Sequence, residues 1–179
     1  MRIDHIAYRV KNRHETAKFF VNALGYKIPD NLPEGFEIEF EDGSKAKCLV
    51  LEPPEKIKAE ERYLTVPWIL NEYHIPPEIF ISDGSPGSIV GDWVQARGGL
   101  GGIHHIAYQV DSVEGVMNEW KEKGYAEFTT EDPLSCPGIV QAFTKPSELT
   151  GIIYEFIKRE EHGFCQENVK DLMVSTRGL

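Results

Sequence analysis

Ile3-Asp4-His5-Ile6-Ala7-Tyr8-Arg9-Val10 returns one hundred positions later as Ile103-His104-His105-Ile106-Ala107-Tyr108-Gln109-Val110, with six of the eight residues unchanged. The likeness extends outward from both copies. Each runs into a helix-like stretch, Arg13 to Leu24 and Ser112 to Lys123, and each stretch ends in Gly-Tyr. Gly25 lies 20 residues after His5 and Gly124 lies 19 after His105. A glycine just past a helical run ends it by taking the left-handed conformation. One short match could arise by chance, but a match with its helix and cap attached points to duplication.

Apolar residues in both stretches follow helical spacing: Ala17, Phe20, Val21 and Leu24, then Val113, Val116, Met117 and Trp120. Strand-like runs come next. Phe36 to Phe40 alternates, Asp42-Gly43 turns the chain, and Ala46 to Leu51 returns. Ile139 to Thr144 and Ile152 to Lys158 are their counterparts in the second half. Pro53 to Pro77, with Pro-Pro at each end, reads as a long connection, and Gly98 to Gly102 as the joint. The order in each module is strand, helix, then several strands, an α+β fold of two paired modules. Module one spans 1–97, module two 102–159, and a C-terminal helix within 162–179 ends a single domain of 179 residues.

Alternation along a strand puts Ile6, Tyr8 and Val10 on one face, beneath the helix, and His5 and Ala7 on the other. His105 and Ala107 repeat the second face. Two equivalent histidines, each beside a small alanine, would converge on one cavity when the modules pair. Glu155 lies in Ile152-Ile153-Tyr154-Glu155-Phe156-Ile157, where both faces are apolar. A buried carboxylate needs a cation, and a metal held by two imidazoles supplies one. Two histidines and one carboxylate with open positions is the set favoured by non-haem Fe(II) oxygenases. A lone strand histidine is more often a hydrogen-bonded core residue; the duplicated position is what favours ligands. For Glu155 the competing reading is a buried ion pair. His104 is expected on the face opposite His105, as a packing residue or a support of the ligand. His14 and His74 fall in exposed contexts.

A fourth ligand would come from the first-module strand matching that of Glu155. Cys48 to Glu52 would put Leu49 at the ligand place, with Glu52 nearby; Glu78 to Ser82 would bring Glu78 there. Three protein ligands are expected.

The formal net charge of −10 repels phosphate backbones and anionic lipid, so neither nucleic acid nor a membrane is an expected partner. A small-molecule substrate is, and a homodimer is a candidate assembly. The three cysteines, Cys48, Cys136 and Cys165, form no CxxC pair and no even-numbered disulfide framework, which fits a reducing compartment. The start carries an acid and a histidine where a signal peptide needs an apolar run, so the reading is cytoplasmic.

These residues resemble the vicinal oxygen chelate superfamily, built from paired βαβββ modules around a metal. Gly98 to Val110, followed by Asp111-Ser112-Val113, resembles methylmalonyl-CoA epimerases. The C-terminal third resembles 4-hydroxyphenylpyruvate dioxygenases: Gln141 to Pro146, then Glu155-Phe156-Ile157-Lys158-Arg159, then His162-Gly163-Phe164 with Asn168 and Leu172. That resemblance implies metal ligands at His5, His105 and Glu155, with Glu155 as the catalytic carboxylate. It implies that Gln141 and Phe143 line the substrate pocket and that Phe164 sits on a closing helix. It departs in having one module pair rather than two, and His104 where that family usually has Gln. The implied activity is a non-haem Fe(II) dioxygenase acting on a small 2-oxo acid or a related chelating substrate. The alternatives are an epimerase or isomerase using Co, Mn or Zn, and a ligand-sequestering binder like the superfamily's resistance proteins. The tail is expected to be a lid over the pocket, separable from the fold, with Phe143 and Phe164 clasping a flat substrate.

Overall fold

The computed structural model describes residues 2–54, 76–160 and 163–179. Eight strands form one curled mixed sheet: β1 Arg2–Arg9, β2 Phe36–Glu39, β3 Lys45–Leu51, β4 Glu78–Gly84, β5 Gly102–Gln109, β6 Leu134–Cys136, β7 Ile139–Phe143 and β8 Ile153–Arg159. Their order is β2-β3-β4-β1-β5-β8-β7-β6. The two halves mirror each other in connectivity. β1 pairs parallel with β4, and β5 pairs parallel with β8; the outer strands are antiparallel. An antiparallel β1–β5 seam joins the halves. Four helices are described: α1 Arg13–Leu24, α2 Ile89–Ala96, α3 Val113–Glu122 and α4 Gln166–Ser175.

The two repeated helices start and stop where their caps dictate. The Asn12 side chain accepts from the amides of His14 and Glu15, and the Ser112 hydroxyl accepts from the amide of Gly115. Gly25, at φ 75°, ends α1. Both helices cover the convex side. Phe20 and Ala17 pack on Ile6, Tyr8 and Val10; Val113, Met117 and Trp120 pack on Tyr108, Val110 and Phe156. The concave side is left for His5, His105 and α4. At the joint, Gly101 has φ 76°, and a Cβ there would stand 2.2 Å from the Arg9 carbonyl oxygen, so the joint needs glycine.

The architecture differs from the sequence expectations in several places. Helix α2 was not expected: Ile89, Val90, Gly91, Trp93 and Val94 are all buried, so it has no polar face to reveal a helical period. Strand β6 is three residues long, too short for an alternation signal. Cys136 and Cys165 are joined by a disulfide with their Cα atoms 6.4 Å apart, where no disulfide was expected; spacing in sequence does not disclose pairing across 29 residues. Cys165 is the N-cap of α4 and Cys136 ends β6, so the bond ties the helix to the sheet edge. Finally, α4 lies on the concave side as expected, yet it is core rather than a detachable cover. Val169, Leu172 and Met173 are buried against Ala7, Phe80, Phe143 and Ile153. Most of the expected Pro53 to Pro77 connection, and His74 within it, lies outside the described residues. No described helix is long and apolar enough to cross a membrane.

Candidate metal centre

β1, β5 and β8 lie side by side at the middle of the sheet, and this adjacency brings His5, His105 and Glu155 together. His5 Nε2 is 3.2 Å and His105 Nε2 3.1 Å from the same oxygen, Glu155 Oε2, and the two Nε2 atoms are 3.3 Å apart. All three residues are buried. With bonds of about 2.1 Å, cis ligands of an octahedral ion stand about 3.0 Å apart and ligands of a tetrahedral ion about 3.4 Å apart. The three observed separations fall between those values, so the donors face one centre at metal-ligand spacing.

Neighbouring groups orient each donor. Asp4 bonds His5 Nδ1 at 2.8 Å, and His104 Nδ1 meets His105 Nδ1 at 2.8 Å. Both imidazoles are therefore held at Nδ1 with Nε2 turned inward, the arrangement typical of supported metal-ligating histidines. Gln141 Nε2 donates to the other carboxylate oxygen, Glu155 Oε1, at 2.7 Å, and Asn168 on α4 donates to Gln141 Oε1 at 3.1 Å. Arg159 Nη2 reaches Asp4 at 2.9 Å and Glu78 at 2.8 Å, so the acid behind His5 has its own counter-ion.

Two register shifts along the β1–β5 seam explain this support. Pairing slips by one residue between Ile3/Ile6 and again between Ala7/Tyr8. The extra residue brings Asp4 beside His5 in one strand and His104 beside His105 in the other. His104 is thus not on the opposite face: the bulge breaks the alternation on which that expectation rested, and both histidines line the cavity.

The fourth-ligand question turns on the other register. Ala107 pairs with Glu155, and its counterpart Ala7 pairs with Phe80. Phe80, rather than Leu49 or Glu78, therefore occupies the matching place. Glu78 pairs with Arg159, and Glu52 is exposed at an isolated bridge to Lys27.

Phe143 and Phe164 flank the site. The Phe143 ring centroid is 4.6 Å from that of His105, and Phe164 is 5.1 Å from both His5 and Phe80. Gln141 lines the same cavity, with its amide engaged on both sides. The space left is about 30 Å³, room for two or three waters, and Phe164 forms part of its wall. Sequence reasoning did not mark Asp4, Arg9, Phe80 or Arg159. Only the bulges and the parallel registers bring them to the site. His14 is exposed, as expected.

Burial disfavours charge on His5, but Glu155 and Asp4 outweigh it and raise its pKa to about 9. Burial likewise opposes ionisation of Glu155, yet His5 and His105 hold its carboxyl well below the usual carboxylate range. Burial lowers the pKa of His105, with Glu155 opposing. The metal-free site at neutral pH is therefore an imidazolium–carboxylate pair beside a neutral imidazole. A metal must displace the proton of His5. Metal binding at pH 7 is expected to release about one proton, with affinity rising about tenfold per pH unit up to about pH 9. The metal-free fold has the opposite trend. Its stabilisation by charged His5 is complete below the ordinary value of 6.5 and is lost as pH rises through about 9. Calorimetric titration in buffers of different ionisation enthalpy measures the proton count; zero release would contradict the assignment.

These features, two supported histidines and one carboxylate at the centre of a duplicated curled sheet, define a class. Residues 4–135 match the family described as Glyoxalase/Bleomycin resistance protein/Dioxygenase superfamily, and the chain belongs to it. Among relatives, the mitochondrial methylmalonyl-CoA epimerase of Bos taurus is 24% identical over 157 residues, covering 86% of this chain and 72% of that protein. A crystal structure of a methylmalonyl-CoA epimerase superposes with a TM-score of 0.60 at 21% identity, covering 90% of this chain and 97% of the other. A variant of 4-hydroxymandelate synthase from Streptomyces coelicolor superposes with a TM-score of 0.72 at 17% identity, covering 98% of this chain and 53% of that one. At these identities the structural likenesses establish the fold. Members of the superfamily typically hold a divalent metal, and the donor set here fits one.

Proposed function

We propose that this protein is a non-haem Fe(II) enzyme of the dioxygenase kind, acting on a small 2-oxo acid or a related chelating substrate. The observation that carries the reading is Phe80 at the place equivalent to Glu155. It leaves three protein ligands on one side of the centre and an apolar wall where a fourth would stand. Substrate oxygens and dioxygen then have positions to occupy. Fe(II), when bound, supplies Lewis acidity and electron exchange with dioxygen.

The chain's own residues do the rest. Asp4 and His104 fix the ring orientation of the two histidines, and Gln141 holds one Glu155 oxygen so that the other faces them. Phe143 and Phe164 flank a bound substrate and keep water from it.

An epimerase is the second reading, supported by the relatives of that name. Its chemistry needs a base to remove a proton next to a carbonyl. Glu155 is the only carboxylate among the described residues that lines the cavity, and both its oxygens are engaged. This favours the oxygenase. The test is to purify the protein anaerobically, load it with Fe(II) and follow dioxygen against a panel of 2-oxo acids. Dioxygen uptake matched to loss of one acid is expected. Absence of uptake, together with Co(II)-dependent exchange of an acyl-CoA α-proton into solvent deuterium, would replace this reading with the epimerase.

A further inference from the structure

Two polar side chains of the cavity serve no part of the metal centre's first ring of donors. Arg9 follows His5 by four residues on β1 and is only 2% exposed. Its Nη2 donates to Thr176 Oγ1 at 3.0 Å, and its guanidinium stands 5.8 Å from the centre of the Trp93 ring. Its Nη1 has no partner, and no carboxylate among the described residues pairs with it. Burial, then the neighbouring Arg97, lowers its pKa to about 9, so it is still charged at neutral pH. Cys48 does not balance it, because burial pushes that thiol up and keeps it neutral.

His104 is 4% exposed and stands 5.6 Å from Trp93, ring to ring. Its Nδ1 meets Nδ1 of His105. Its Nε2 has no partner. Arg9 Nη1 is an orphaned N–H donor, and Arg9 and His104 both line the cavity near the same indole. Buried donors without acceptors are destabilising, the more so when one is charged.

We propose that Arg9 Nη1 is the anion subsite for the distal carboxylate of a short dicarboxylic substrate, whose other end chelates the metal. This rests on the reading of His5, His105 and Glu155 as the metal site. The subsite is distal because Arg9 is held by Thr176, just past the C-terminal end of α4, whereas Phe164, before its N-terminal end, covers His5.

The test compares 2-oxoglutarate with 2-oxobutanoate, titrated into metal-free and Co(II)-loaded protein and followed by tryptophan fluorescence. The dianion is expected to bind about 10- to 100-fold more tightly, the worth of one charge-assisted pair. Arg9→Gln should erase that preference and leave 2-oxobutanoate affinity unchanged, and Arg9→Lys should restore part of it. Equal affinities in the unaltered protein, a preference that survives Arg9→Gln, or equal losses for both acids would overturn the proposal. Arg9→Met, which removes an unpartnered buried charge, should not lower the melting temperature of the ligand-free protein; a marked fall would make Arg9 structural instead. If Co(II) alters neither acid's binding, the metal reading fails. The Arg9-dependent ratio in metal-free protein still decides the subsite.

Discussion

Replacing His105 with alanine is expected to abolish retention of a divalent metal while leaving the fold in place. His105 supplies one of three donors, and no other described donor is positioned to take its place. Loss of a supporting residue around a metal ligand typically costs about 10–100-fold in affinity, and loss of a ligand should exceed that. The substitution also removes the contact to Glu155 Oε2, but His5 remains 3.2 Å from that oxygen, so the carboxylate keeps a partner. Elemental analysis after dialysis measures the loss, and circular dichroism checks the fold. Asp4→Asn should fall in the milder 10–100-fold range, because it loosens His5 without removing it. A His105→Ala protein that held one equivalent of metal as tightly as the parent would refute the centre.

Removing residues 164–179 is expected to unfold the protein or leave it aggregating, not to yield an open enzyme. The buried Val169, Leu172 and Met173 of α4 close the concave core. At about 1.5–3 kcal/mol for each fully buried apolar side chain, their loss approaches the whole stability of a typical domain, about 5–15 kcal/mol. A milder probe separates covering from folding: Phe164→Ala leaves those three residues in place and removes only the ring over His5. Thermal melts of the two variants are the measurement. A truncated protein that melted like the parent would return α4 to the role of a detachable lid.

The duplicated octapeptide made the candidate metal centre legible. Identical residues on equivalent strands must take equivalent places, and alternation then sends both histidines to one side. Glu155 was legible because its strand is apolar on both faces. Residues that depend on register were not. His104 was assigned to the wrong face because a bulge inserts it into β5, and alternation holds only while pairing is unbroken. Phe80 was missed because the choice between β3 and β4 as partner of β1 depends on topology; a shift of two residues separates it from Glu78. Helix α2 was missed because it is buried on nearly every side, and with it the Trp93 that walls the cavity. The Cys136–Cys165 bond and the integration of α4 into the core are contacts across the fold that no local pattern announces.

The β1–β5 seam decides what a metal bound at the candidate centre would do to the protein as a whole. One donor, His5, stands on one side of the seam, and His105 and Glu155 stand on the other. An ion there is a rivet between two half-shells, not an ornament within one of them. Neither duplicated unit can hold it alone, and its binding energy is added directly to their cohesion, by about 2.7 kcal/mol when free metal is a hundred times its dissociation constant. The same junction carries Asp4, His104 and the close approach of Gly101 to Arg9. Whatever loosens the two half-shells would therefore part His5 from His105 and Glu155.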